Sequence, residues 1–129
     1  MPASSSRSTG MLAIGHTVLQ WHALQAAQDP KACELVTGDA VERMLKFERK
    51  LAKSIGTPAP GDCEAMIADR PRSESYRSLM LATVVDAVEV QGDRATPTVH
   101  TSATLRGVLR ATDPVPLTLR WDGGRWRMD

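Results

Sequence analysis

Two side chains with acid–base chemistry fall among apolar residues of this sequence. Asp86 lies between Val84 and Val88 in a β-branched run, where the two-residue period of a strand places all three side chains on one face. A carboxyl group enclosed in an apolar cavity has its pKa raised by desolvation, which suits a general acid or base. His22 follows Val18 by four residues, so it borders the apolar face of a predicted helix. Together Asp86 and His22 indicate an acid–base site that needs no cofactor.

A structural interpretation of these residues stays open. Asp86 would then lie near a solvated strand end, and His22 would lie at the helix boundary with its ring hydrogen-bonded, because a lone polar residue on an apolar face is usually satisfied or at a rim. Tyr76 either lines a pocket mouth or closes the core, and the spacing favours the core. His100 is predicted to face away from the core unless a bulge at Pro97 shifts the strand register.

The two cysteines, Cys33 and Cys63, allow two interpretations. A bridge between them would close a loop of about 30 residues and stabilise the fold by roughly 3 to 4 kcal/mol. Two buried free thiols are the alternative, because unpaired cysteine is among the most buried residue types. The cysteines and the three histidines show no CxxC or HxxxH spacing, so we expect no metal site.

Charge and composition restrict the class of partner. The 129 residues include 16 Lys and Arg against 15 Asp and Glu, so the net charge of +1 gives no global field for nucleic acid. Residues 11–19 are too short and mixed for a membrane span, and we expect no integral membrane segment. The sequence carries no convincing export signal, which favours a cytoplasmic location. An extracytoplasmic location is the alternative if the cysteines are bridged and the N-terminus is trimmed.

Helical spacing fills the first two-thirds of the chain. The Ser-rich residues 1–10 are predicted to form a disordered tail, and residues 11–129 a single domain. Apolar periodicity predicts a first helix over residues 12–28, and Asp29-Pro30 opens a short second one. Thr37 is a predicted cap for a third helix, and shorter helical segments follow at residues 62–68 and 73–80.

Strand spacing then takes over. Residues 84–90 end at the turn pair Gly92-Asp93, and residues 94–105 form a second strand in which Pro97, lacking a backbone donor, is expected at an edge or bulge. Residues 115–121 and 126–128 flank a Gly-Gly hairpin turn. Trp121 and Trp126 are predicted to form a cross-strand pair beside that turn. Helices followed by an antiparallel meander indicate an α+β fold with helices on one sheet face.

Four segments in this order, residues 21–36, 61–68, 92–99 and 117–129, resemble the nuclear-transport-factor-two-like superfamily, also called the cystatin-like cone. More narrowly, they are similar to small actinobacterial members with one cysteine in the second helix and another in a short third helix. The resemblance implies N-terminal helices packed on a curved antiparallel sheet that forms a cone with a pocket. It favours a Cys33–Cys63 bridge, and the pocket residues expected from it are Trp21, Val18, Tyr76 and Val88.

The resembling superfamily includes ketosteroid isomerases, polyketide cyclases, dehydratases and non-catalytic binding domains. Its proton-transfer members place a Tyr on the first helix where this chain has Trp21, and the strand region of their general base is replaced by the helical residues 40–53. We therefore predict a non-catalytic domain that binds a small apolar ligand or a protein partner, as a homodimer through its exposed sheet face. The alternative is a polyketide-cyclase, dehydratase or isomerase type of enzyme that uses Asp86 and His22 without a cofactor.

Overall fold

The computed structural model describes residues 2–105 and 107–129 of the chain. In this part of the chain, helices come first and strands follow. The α-helices are α1 (Pro2–Ala26), α2 (Gly38–Ile55), α3 (Cys63–Ala68) and α4 (Glu74–Leu81), with a 3₁₀ helix (Pro30–Leu35) between α1 and α2. The strands are β1 (Thr83–Gln91), β2 (Arg94–Leu105), β3 (Val108–Ala111), β4 (Val115–Pro116), β5 (Leu119–Asp122) and β6 (Arg125–Met128). None of the described helices has both the length and the apolar character to cross a membrane.

Side-chain caps fix where the helices begin. Asp29 accepts a hydrogen bond from the Lys31 amide at the start of the 3₁₀ helix, and Thr37 accepts one from the Ala40 amide at the start of α2. Helix α2 ends at Gly56, whose φ of 75° is the left-handed conformation that glycine adopts without strain. The predicted cap residues Asp29 and Thr37 are both confirmed.

Helix α1 is longer than its apolar periodicity predicts. It begins at Pro2, so residues 2–10, expected as a disordered tail, are helical. Gly10 is buried, and a Cβ atom added there would lie 3.2 Å from Nε1 of Trp126 in β6. Gly10 therefore packs closely against β6, where a side chain would force the Trp126 ring to shift. Ile14, Val18 and Trp21 continue the buried face of α1.

The antiparallel sheet is organised around β2. The strand order is β1-β2-β5-β6, and β3 and β4 also pair with β2. The β1–β2 hairpin turns at Gly92, and the β5–β6 hairpin at Gly123 and Gly124, all three with positive φ. Both hairpins confirm the sequence prediction. Along one edge β2 pairs first with β5, then with β4 and last with β3, so three short strands cover one long strand.

Pro97 corrects one prediction. The sequence placed it at an edge or bulge, but it is fully buried in the central strand β2 and pairs with Val88 of β1. Its other side faces Leu117, which separates β4 from β5 and whose amide donates to the Pro97 carbonyl over 2.8 Å. Proline has no backbone N–H to donate to a neighbouring strand. At Pro97 this costs no hydrogen bond between strands, because the gap between β4 and β5 lies beside it.

The core lies between α1, the 3₁₀ helix, α3 and the concave side of the sheet. Its members are apolar and buried: Ile14, Val18, Trp21, Ala32, Leu35, Val36, Ala40, Ile67, Ala95, Val99, Leu119, Trp126 and Met128. The indole rings of Trp121 and Trp126 meet edge to face with centroids 5.5 Å apart, which confirms the predicted cross-strand pair. These contacts give the expected α+β architecture, helices on a curved antiparallel sheet.

Two connections tie distant parts of the chain together. Cys33 of the 3₁₀ helix and Cys63 of α3 form a disulfide with an S–S distance of 2.10 Å, as the resemblance implies. The junction before α2 is bound to the last strand, because the Thr37 amide donates to the Met128 carbonyl over 2.8 Å and its hydroxyl donates to the Asp129 carboxylate over 2.7 Å. Val36 and Met128 form a parallel bridge beside these bonds.

Candidate functional site

A cavity of about 290 Å³ lies where α1, the start of β1 and the middle of β2 meet residues 112–117. Part of its lining is apolar and part is polar. The apolar residues are Val99, Val115 and Leu117, and the polar ones are His22, Thr83, His100, Thr101, Thr112 and Asp113. The cavity lining therefore combines apolar side chains with hydroxyl, imidazole and carboxyl groups.

His22 is held at the cavity by its own helix. Its Nδ1 atom lies 2.8 Å from the carbonyl oxygen of Val18, one turn earlier in α1. Because a carbonyl oxygen only accepts hydrogen bonds, Nδ1 is the donor and carries the hydrogen. In the neutral ring Nε2 then has a lone pair, so it can accept a hydrogen bond or a proton from a bound molecule.

His100 is paired with Asp86. Its Nδ1 atom lies 2.7 Å from Oδ2 of Asp86, and both side chains are partly exposed. The contact depends on a β-bulge in β1, where the register with β2 shifts between Val85 and Ala87. Asp86 is the extra residue of this bulge, so its carboxylate can reach a ring on the neighbouring strand. A carboxylate hydrogen-bonded to Nδ1 holds the imidazole ring in one orientation.

Asp86 and His22, which the sequence joined into one acid–base pair, have different hydrogen-bond partners in the structure. Asp86 is exposed and pairs with His100, whereas His22 is half-buried and bonds to Val18. The bulge is the physical reason, because it breaks the two-residue alternation that was expected to place Asp86 among the valines. His22 and His100 are the histidines that line the cavity, so they replace the predicted pair as neighbours.

The residues expected to line a pocket lie elsewhere. Val18 and Trp21 are buried core residues, and Val88 is half-buried against the same core. None of these three residues lines the cavity described above. Tyr76 is half-buried on α4, where burial raises the pKa of its phenol above the ordinary 10.0 and the nearby Arg70 guanidinium acts in the opposite direction.

Sequence reasoning missed the polar residues Thr83, Thr112 and Asp113 of the cavity. Residues 112–116, Thr-Asp-Pro-Val-Pro, read as a connection with two prolines, and no periodicity predicts which way their side chains point. Within residues 2–105 and 107–129 no three side chains of the His, Cys, Asp or Glu type converge as metal ligands would.

A crystal structure of an NTF2-like protein with a cystatin-like fold, from Novosphingobium aromaticivorans, superposes on this chain with a TM-score of 0.55. The match covers 98% of this chain and 82% of that one, at 19% sequence identity. This chain has the NTF2-like, cystatin-like fold. The fold predicted from the sequence is therefore confirmed, and at this identity the likeness extends to the fold alone. A scan of protein-family models gives no match to this chain, and neither does a comparison with curated proteins.

Proposed function

We propose that this NTF2-like chain binds a small molecule in the cavity between His22 and Leu117. The observation that supports this proposal is the composition of the cavity, which is lined by three apolar side chains and by two histidines whose Nδ1 atoms are already engaged. A volume of about 290 Å³ lies at the lower end of the range for ligand sites, so the ligand is smaller than a typical drug molecule.

The lining indicates what such a ligand should offer. Val99, Val115 and Leu117 suit an apolar body, because its burial is favourable in proportion to the area removed from water. Nε2 of His22 suits a hydrogen-bond donor on that body. The Thr83 hydroxyl donates to the Met80 carbonyl over 2.9 Å, which leaves its oxygen as a further acceptor. A small aromatic or alicyclic alcohol combines these properties.

The test compares p-cresol with p-xylene. The two molecules have similar shapes, but p-xylene has a methyl group where p-cresol has a hydroxyl group. Binding is measured by chemical-shift perturbation of backbone amides. We expect p-cresol to bind more tightly than p-xylene and to shift amides of β2 and of residues 112–117. The variant Leu117→Trp should fill the cavity and abolish the binding of both compounds. The control Leu81→Trp, at an exposed position of α4, should leave their binding unchanged.

The variant His22→Phe should remove the preference for p-cresol over p-xylene. Unchanged binding in Leu117→Trp would contradict the proposal.

A second candidate function rests on the 2.7 Å contact between Asp86 and His100. A carboxylate-backed imidazole at a cavity can remove a proton from a carbon next to a carbonyl group and return it elsewhere, which is cofactor-independent cyclase, dehydratase or isomerase chemistry. Asp86→Asn separates the two candidates. An enzyme would lose turnover with unchanged ligand affinity, whereas a binding protein would show no turnover before or after the change.

A homodimer through the outer sheet face is part of the same proposal. Val84 and Val108 are exposed apolar side chains of the sheet, which favours a contact there with a second copy or another protein. Light scattering of the wild type and of Val84→Ser tests it. A concentration-independent monomer mass would exclude the homodimer.

A further inference from the structure

Helix α2 exposes a row of large apolar side chains that does not serve the core. Phe47, Leu51 and Ile55 are spaced four residues apart, so they follow one another along the helix surface. Their exposed fractions are 65%, 45% and 64%. These three residues are called the α2 stripe below. Ala40, Leu45 and Ala52 of the same helix are buried, and Ala40 precedes Phe47 by seven residues, so the α2 stripe borders the core-facing side of the helix.

A row of cations runs beside the α2 stripe. Arg43 precedes Phe47 by four residues and Lys50 follows it by three, so both are its neighbours on the helix surface. Lys46 and Lys53 lie next to Lys50 by the same spacing. All four are exposed. Arg43, Lys46, Lys50 and Lys53 are called the α2 basic row below.

Two carboxylates lie beside this row: Glu42 precedes Lys46 by four residues, and the Asp129 carboxylate is 3.9 Å from Arg43. The other acidic residues of α2 pair with arginines outside the helix. Asp39 pairs with Arg120 of β5 over 3.4 Å, and Glu48 pairs with Arg70 over 3.0 Å. Two of the three acidic side chains of the helix are therefore matched by arginines from other elements. The exposed surface of α2 is consequently positive, although the whole chain has a net charge of only +1.

We propose that α2 docks this protein on the surface of an anionic lipid bilayer. An apolar face flanked by lysines and arginines is the pattern of helices that lie in the membrane interface. The α2 stripe would enter the boundary between headgroups and acyl chains, and the α2 basic row would contact lipid phosphates. A second copy fits this surface less well, because a stable protein interface buries about 800 Å² on each partner and three side chains on one convex helix supply only part of that area.

The test is co-sedimentation of the full chain with two kinds of vesicle: phosphatidylcholine alone, and equal parts of phosphatidylcholine and phosphatidylglycerol. We expect binding to the mixed vesicles that weakens as salt is added, because salt screens the attraction. Exchanging Lys46, Lys50 and Lys53 for Gln should weaken partitioning about fivefold per cation, the factor that corresponds to about 1 kcal/mol each. The matched control exchanges Lys31, Arg72 and Arg77, which are exposed outside α2.

The α2 stripe is tested separately. The triple variant Phe47→Ser, Leu51→Ser, Ile55→Ser should lose at least about tenfold in partitioning, since apolar burial contributes to interfacial binding. The matched control Leu12→Ser, Leu19→Ser, Leu81→Ser removes three exposed leucines elsewhere and should bind as the wild type does. A circular-dichroism melt checks that each variant folds, and the single variant Phe47→Ser replaces the triple one if it does not.

Three results would overturn the proposal. The first is equal binding, or no binding, to the two kinds of vesicle. The second is unchanged partitioning of the stripe variants. The third is self-association of the wild type in light scattering that Phe47→Ser abolishes, which would assign the α2 stripe to a second copy of the chain. None of these results bears on the cavity, so failure here is distinct from failure of ligand binding.

Discussion

Removal of the Cys33–Cys63 bridge should lower stability by an amount that follows from its place in the chain. The bridge joins residues 30 positions apart. Closing a loop of that length removes chain entropy from the unfolded state worth about 3.6 kcal/mol at 25 °C. The unfolding entropy of a 129-residue domain is about 270 cal/mol/K, so the loss corresponds to a fall in Tm of about 13 °C. We expect this fall in the double variant Cys33→Ala, Cys63→Ala.

Calorimetry of the oxidised wild type, the reduced wild type and the double variant measures the effect. The reduced protein is the matched control, because it keeps both sulfur atoms and loses only the covalent link. It should melt close to the double variant, and any difference between them reports the packing of the two half-buried side chains. Mass measurement with a thiol-reactive reagent should find no free thiol in the oxidised protein. Oxidised and reduced proteins that melt within a few degrees of each other would refute the chain-entropy reasoning.

Three further predictions concern single residues. Gly15→Ala should raise the free energy of unfolding by roughly 0.5 to 1 kcal/mol, because no atom lies close to the added Cβ in α1. Gly10→Ala should raise the free energy of unfolding less, or lower it, because its Cβ meets the Trp126 ring. Urea unfolding of the two variants measures the difference. Tyr76 is the only tyrosine, so its phenol can be titrated by absorbance, and we expect a midpoint above 10.0. Because its folded-state pKa is raised, its contribution to stability is complete below pH 10.0 and is lost as pH rises through the folded pKa. Thr37→Val should cost about 1 to 2 kcal/mol in urea unfolding, since it removes both a helix cap and a buried hydroxyl bond.

Local chemistry explains why much of the fold could be predicted from sequence. Asp29 and Thr37 cap helices by bonds to amides two or three residues away, and Gly123 and Gly124 adopt positive φ within a two-residue turn. Such features depend on near neighbours in the chain, so composition and spacing reveal them. The order of helices and strands followed from the same signals, and the family resemblance supplied the curvature of the sheet and the disulfide.

The candidate site was harder to predict than the fold, because its geometry depends on irregularities in the pairing of strands. A bulge at Asp86 brings its carboxylate to His100. Residues 84–88 contain no glycine or proline that would predict a bulge there. Pro97 is accepted in a central strand only because the chain near Leu117, distant in sequence, interrupts its pairing there. The close packing of Gly10 against the ring of Trp126 is likewise a contact between distant parts of the chain. Each of these outcomes is a tertiary contact, which a single sequence does not encode locally.

The bonds from Thr37 to Met128 and Asp129 have a consequence for biosynthesis. The β6 residues leave the ribosome after every other described element, yet they fix the entry to α2 and complete the core with Trp126 and Met128. The nascent helices cannot pack in their native arrangement before these residues have been synthesised. We therefore expect the preceding elements to stay loosely ordered until β6 has left the ribosome, and a ribosome-stalled form that lacks β6 should be readily cut by proteases.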